Sequence, residues 1–175
     1  NGNFSFNDLL PSLTNFAVAY IPSAKNELID RLNQEDFTFD LTLKNTSILS
    51  SIFFPTIQVS PLSRFNGNYN SNNQIINFYG FVPTLTIGSN QLQNITVTGE
   101  SPKGKLVLNT TINRLVITDS TELENINLKM ISANDSVQTH LTWQNDDFEE
   151  YKADLTLNTV FDGFSKSVNQ FQNSY

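Results

Sequence analysis

Apolar and polar side chains alternate along most of this chain, most sharply between Leu85 and Gln144. Positions 106, 108, 110, 112, 126, 128, 130, 137, 139, 141 and 143 are apolar except for Thr110 and Thr139. The intervening positions 107, 109, 111, 113, 127, 129, 131, 138, 140, 142 and 144 are polar except for Val107 and Ile131. A period of two places the two sets on opposite sides of a strand, so the stretch predicts a sheet with one apolar face and one hydrated face. The stretch is also doubled. QLQNITV (Gln91 to Val97) returns as ELENINL (Glu122 to Leu128), and the offset of 31 residues (123 − 92) between Leu92 and Leu123 is kept by Ile95/Ile126, Val97/Leu128, Leu106/Val137, Thr111/Thr142 and Ile112/Trp143. A weaker copy starts at Leu62 and Phe65, displaced by 30 (92 − 62), and pairs Phe78 with Leu108. Such a period predicts a repeated unit of two strands and a turn.

The flanking segments read differently. Leu9, Leu10, Leu13, Phe16, Ala17 and Tyr20 have helical spacing with Pro11 in the first turn, and Ser23 caps a second short helix over 23–33 carrying Leu28, Ile29 and Leu32 on one face. FTFDLTLK (Phe37 to Lys44) alternates without a fault and is the clearest strand. Ile48, Leu49, Ile52 and Phe53 then switch to helical spacing before Pro55, which predicts a small helix near 47–54 covering an open sheet end. Strands follow in TIQVSPLSRFNGNYNS, where Pro61 implies an edge or a bulge, and in QIINFYG. Turns are expected at Asn72–Asn73, Gly88–Asn90, Ser101–Gly104, Asp119–Thr121 and Asn134–Ser136. A last strand places Ala153, Leu155, Leu157, Thr159 and Phe161 on one side, and a polar tail follows over 163–175. The expected organisation is a helical cap segment at 1–35, a β domain at 36–162 and that tail.

Composition narrows the function. At 175 residues there is length for one domain with a sizeable core. Only 15% of residues are charged, and the net charge of −7 supplies no basic patch for nucleic acid and no attraction to an anionic membrane surface. Cysteine is absent, which removes disulfides and thiolate metal sites. No apolar run approaches the roughly 20 residues of a spanning helix, and Asn1 opens without the charged start and apolar centre of a signal peptide. The chain reads as a piece of a longer polypeptide whose anchor lies elsewhere.

Catalytic constellations are not found. His140, the single histidine, falls on the polar face of its strand, and no nucleophile elbow, zinc helix, phosphate loop or dinucleotide fingerprint occurs. Asp146, Asp147, Glu149 and Glu150 form one acidic cluster whose oxygens suit calcium, but its spacing is that of a solvated turn rather than of a calcium loop. The 14 phenylalanines and Trp143 fit a packed core equally well as the lining of an open groove, because both require the same alternation. The DST and DSV turns at 119–121 and 135–137 resemble the O-glycosylation signal of Bacteroides-type bacteria, which makes Ser120 and Ser136 candidate acceptors. Asn-x-Thr triplets such as Asn94-Ile95-Thr96 arise readily in so Asn- and Thr-rich a chain.

SPLSRFNGNYNS, FPTIQVSP, the N-I-x-V and N-I-x-L strand starts and ANDSVQTHLTWQN carry a resemblance to TamB-type proteins of the AsmA-like superfamily, in the form found in Bacteroidetes. The resemblance covers most of residues 35–162. It implies a mostly β fold, an antiparallel meander of repeated hairpins curved into a half-open, taco-like groove, with one or two short helices near the N-terminus. It implies a periplasmic location, anchorage to the inner membrane outside this chain, transport of phospholipid between the membranes, and an outer-membrane barrel protein as partner. It carries no catalytic residue and no cofactor or metal. The expected lining, contacting phospholipid acyl chains, is Ile95, Val97, Leu106, Leu108, Ile126, Leu128, Met130, Leu141 and Trp143. Two rival readings remain: a closed β-sandwich that binds glycans through exposed aromatics such as Tyr69 or Tyr79, and a hydrolase using Asp146 and Glu149.

Overall fold

The computed structural model describes residues 2–3, 11–12, 15–16, 20–21, 34–44, 56–102, 104–118, 121–145, 152–162 and 166–173. Among the described residues eleven strands form one sheet: β1 (Gly2–Asn3), β2 (Asp36–Thr42), β3 (Ile57–Val59), β4 (Arg64–Asn70), β5 (Ile75–Ile87), β6 (Asn90–Glu100), β7 (Leu106–Thr118), β8 (Thr121–Ala133), β9 (Ser136–Gln144), β10 (Lys152–Asp162) and β11 (Lys166–Asn173). From β4 to β11 each strand lies beside the next in sequence, all pairs are antiparallel, and the two ends of the sheet do not meet. The result is an open meander. A closed sandwich, the expectation of the glycan-binding rival, does not form among the described residues, because from β4 onward each strand pairs with the next in one open sheet. Gly88 and Ser89 join β5 to β6, with Gly88 at φ 60, and Asn134 and Asp135 join β8 to β9 at φ 49 and 58, the paired left-handed residues that match strand twist in a two-residue hairpin.

The expected strands fall where the alternation placed them. The polar tail expected over 163–175 supplies β11, which pairs with β10 from Leu155↔Asn173 to Asp162↔Lys166. Ladder hydrogen bonds compensate there for a weak apolar pattern. Within the 7–17 helix expectation, Pro11, Ser12, Asn15 and Phe16 are helical. The helices expected at 23–33 and 47–54 lie outside the described residues.

One row interrupts the ladder across the sheet. Pairing passes from Val82↔Ile95 to Thr84↔Gln93, from Ile95↔Ile112 to Gln93↔Arg114, and from Ile112↔Ile126 to Arg114↔Glu124, so Pro83, Asn94, Asn113 and Asn125 are skipped. Asn94 and Asn125 hold φ values of 51 and 48. These two asparagines occupy the same place in the 31-residue repeat (125 − 94), and asparagine tolerates a left-handed conformation better than most side chains. The repeat therefore encodes one kink in every second strand. On the far side of β5 the same row divides β3 from β4: Ser60–Ser63 stand opposite Val82–Thr84, one residue too many, with Leu62 at φ 66. This is the bulge that Pro61 implied. Ser60 holds it, its backbone N–H donating to Thr84 O (2.8 Å) and its hydroxyl accepting from the Thr84 N–H (2.9 Å). Asn145 closes the row beyond β9, accepting from the Glu124 N–H (3.0 Å) and donating to Glu122 O (2.9 Å).

Candidate functional site

Directly opposed residues of neighbouring strands project to the same face, so the register defines rows of side chains running across the sheet. One row reads Leu41, Phe65, Gly80, Val97, Thr110, Leu128, Leu141, Leu155. The next reads Phe39, Gly67, Phe78, Gly99, Leu108, Met130, Thr139, Leu157. A third, bordering the interrupted row, reads Val82, Ile95, Ile112, Ile126. Leu106 stands opposite Ser132, one step past the pairing of Leu108 with Met130, and Trp143 stands opposite Ala153. All nine residues expected to line a groove thus share one face.

Their burial is graded. Val82, Ile95 and Ile126 are at most 9% exposed, whereas most of the remaining apolar residues of this face are only half-buried. Beyond the interrupted row the apolar residues reappear as Val59, Leu85, Leu92, Leu115 and Leu123, aligned with one another but three positions from the row before it. Strict alternation would put residues three apart on opposite faces; the left-handed Asn94 and Asn125 break that alternation in β6 and β8, and Pro83 and Asn113 stand at the same row in β5 and β7. The recurring Asn and the Leu-x-x-Ile spacing of QLQNITV and ELENINL were the available signal for it.

The N-terminal segment covers one end of this face. Phe16 and Tyr20 pack edge-on with centroids 5.1 Å apart, Phe16 meets Tyr69 in the same manner at 5.7 Å, and Phe37, Ile76 and Leu106 complete the cluster. Polar tethers fix the cover: the Tyr20 hydroxyl donates to Gln74 O (3.1 Å), Tyr20 O accepts from the Asp135 N–H (3.3 Å), and the Tyr69 hydroxyl lies 2.9 Å from Ser12 Oγ and donates to Ser12 O (3.1 Å). Burial pushes the Tyr69 phenol above its ordinary pKa; the Ser12 hydrogen bond opposes the shift, and nearby Glu35 and Tyr20 add to it. Tyr69 is therefore a core residue, 2% exposed, and not an exposed sugar platform.

Glycines shape the same face. A Cβ on Gly99 would lie 2.0 Å from Phe78 Cε1, and one on Gly80 would lie 2.9 Å from Phe65 Cδ1. Each aromatic ring thus lies over the glycine beside it, filling the place of a missing side chain.

The other candidates sit elsewhere. His140 is on the polar face as expected, its Nε2 2.6 Å from Asp154 Oδ1, with both side chains exposed. Ser136 donates its hydroxyl to Ala133 O (2.7 Å) within the hairpin turn. Ser120 and the acidic cluster at 146–150 lie outside the described residues. Among the described residues no group of His, Asp and Glu is arranged to hold a metal ion, and no helix is long and apolar enough to cross a membrane.

Fold and site together define an open antiparallel β meander with one mainly apolar face, crossed by a repeat-encoded row of kinks. No family model, no curated protein and no solved structure matches this chain.

Proposed function

We propose that this chain is a non-catalytic segment of a lipid-conducting β groove, curved in a half-open, taco-like form, along which phospholipid acyl chains pass between the inner and outer membranes of a Gram-negative cell. The observation that carries the reading is the collection of Ile95, Val97, Leu106, Leu108, Ile126, Leu128, Met130, Leu141 and Trp143 on one face of an unclosed sheet. A methylene leaving water gains about 0.8 kcal/mol, so an acyl chain needs an unbroken apolar path. The rows run across the strands, in the direction in which repeats are added. One leaflet's share of a hydrocarbon core, about 15 Å, corresponds to about three interstrand steps of 4.8 Å. Val82, Ile95, Ile112 and Ile126 span that length along the interrupted row. The deep burial of three of them is consistent with the bottom of a trough whose walls are the sheet on either side. The resemblance to TamB-type proteins adds the periplasmic setting, the inner-membrane anchor outside this chain and the outer-membrane barrel partner.

The test is mass spectrometry of organic extracts from natively purified protein, with Leu128→Glu as the variant. Leu128 is half-buried between Thr110 and Leu141, in the row that runs from Leu41 to Leu155. Phospholipid in the wild-type extract, its loss in Leu128→Glu and an unchanged circular dichroism spectrum are the expected results. Lipid-free wild-type protein together with an unfolded variant would mean a packed core instead.

A further inference from the structure

The polar face carries a concavity of its own. Asn66, Tyr79, Thr98 and Asn109 are directly opposed across β4, β5, β6 and β7, and Asn68, Asn77 and Glu100 form the adjoining row. They line an open hollow of about 420 Å³. Its floor follows from the other face: Gly67 and Gly99 flank Phe78 there, and glycine in a strand permits the local bend that hollows the opposite side. Tyr79 is 42% exposed, a large aromatic left uncovered at the centre of four strands. Its polar lining is four carboxamides, one hydroxyl and one carboxylate, and Lys129 stands opposite Asn109 at the end of the row.

We infer that this hollow is a binding site for a neutral oligosaccharide, with Tyr79 as the stacking platform. Carboxamides present donor and acceptor on one rigid group, the complement of vicinal sugar hydroxyls, which also do both. An aromatic face supplies the apolar surface that a pyranose ring covers with its C–H side. Glu100 in the lining repels phosphorylated or sulfated ligands, which favours a neutral one. The row from Asn66 to Asn109 spans three interstrand steps, about 14 Å, the extent of a short linear glycan rather than of one sugar. Asn77 Nδ2 already donates to Asn68 Oδ1 at 3.4 Å, a long bond that a ligand hydroxyl can replace. This site is independent of the lipid reading, since it lies on the opposite face and uses none of the groove residues.

The experiment is calorimetric titration of the purified chain with hexasaccharides of glucose, of xylose and of N-acetylglucosamine. Binding of at least one of them with a millimolar or tighter dissociation constant is expected. Tyr79→Thr, which keeps strand propensity, and Asn109→Ala should each weaken it at least tenfold, while Gln138→Ala, on the same face outside the hollow, leaves it unchanged. No binding by any of the three, or equal binding by Tyr79→Thr with an unaltered circular dichroism spectrum, overturns the inference. Lipid content measured on the same preparations reports on the other face separately. If Tyr79→Thr fails to fold, Asn109→Ala decides the matter alone.

Discussion

Replacing Gly99 by alanine tests whether the apolar face is as tightly built as the register implies. The added Cβ would stand 2.0 Å from Phe78 Cε1, 2.6 Å from Cζ and 2.7 Å from Cδ1, where carbon atoms prefer about 3.5–4.0 Å. The ring must therefore swing away by more than an ångström, out of the place it fills over Gly99. Overpacking of this kind costs about 1–3 kcal/mol. With a urea dependence of about 2 kcal/mol/M for a chain of this size, a 2 kcal/mol loss lowers the unfolding midpoint by about 1 M. Urea titration followed by Trp143 fluorescence reads it. The cause is isolated by a double-mutant cycle: in a Phe78→Ala background the same Gly99→Ala change should cost close to nothing, giving a coupling of about 1–2 kcal/mol. Gly104→Ala is the control, because nothing lies within 4 Å of its Cβ position and only the left-handed backbone, φ 75, is strained. Equal penalties for Gly99→Ala in both backgrounds would refute the packing of Phe78 over Gly99.

Three further outcomes are expected. At the interrupted row, Asn94→Gly should leave the urea midpoint unchanged or raised, while Asn94→Val should cost more than about 1 kcal/mol, because β-branched residues resist a left-handed φ; a harmless valine would show that the kink is not held. Phe16→Ala, removing a ring 6% exposed between Tyr20 and Tyr69, should cost about 3 kcal/mol and increase binding of an apolar dye as that end of the face is uncovered. Tyr69 has a raised pKa, so the unfolded chain ionises it first: stability from this group is intact below about pH 10 and is lost as pH rises through the folded value. The midpoint difference between pH 9 and pH 11 should accordingly be smaller in Tyr69→Phe than in the wild type, and an identical difference would exclude Tyr69 as the source.

Strand positions were legible because alternation is a local property: Phe37 to Thr42, Leu106 to Ile112 and Ala153 to Phe161 each reveal their face without reference to anything distant. The grouping of the nine lining residues followed from the same parity. The interrupted row is not legible within any single stretch, since the slip between Leu92 and Ile95 becomes visible only when β5, β6, β7 and β8 are aligned. β11 escaped for another reason. KSVNQFQN has too little apolar pattern to announce a strand, and its order depends on the exposed edge of β10. The burial of Tyr69 depends on a segment more than fifty residues earlier, through Ser12 and Phe16, and no local pattern encodes such a meeting.

The left-handed asparagines also make the sheet divisible. Each 31-residue unit brings two strands and one Asn in the same phase, so a whole unit can be gained or lost and the kinked row still runs straight, lengthened or shortened by about 10 Å. A single residue inserted within a paired stretch of β6, β7 or β8 between Asn94 and Asn125 has no such freedom, because it moves the second kink out of line with the first. The length of this sheet is thus counted in pairs of strands, and a gene that changes its copy number of this unit changes reach without redesigning the surface.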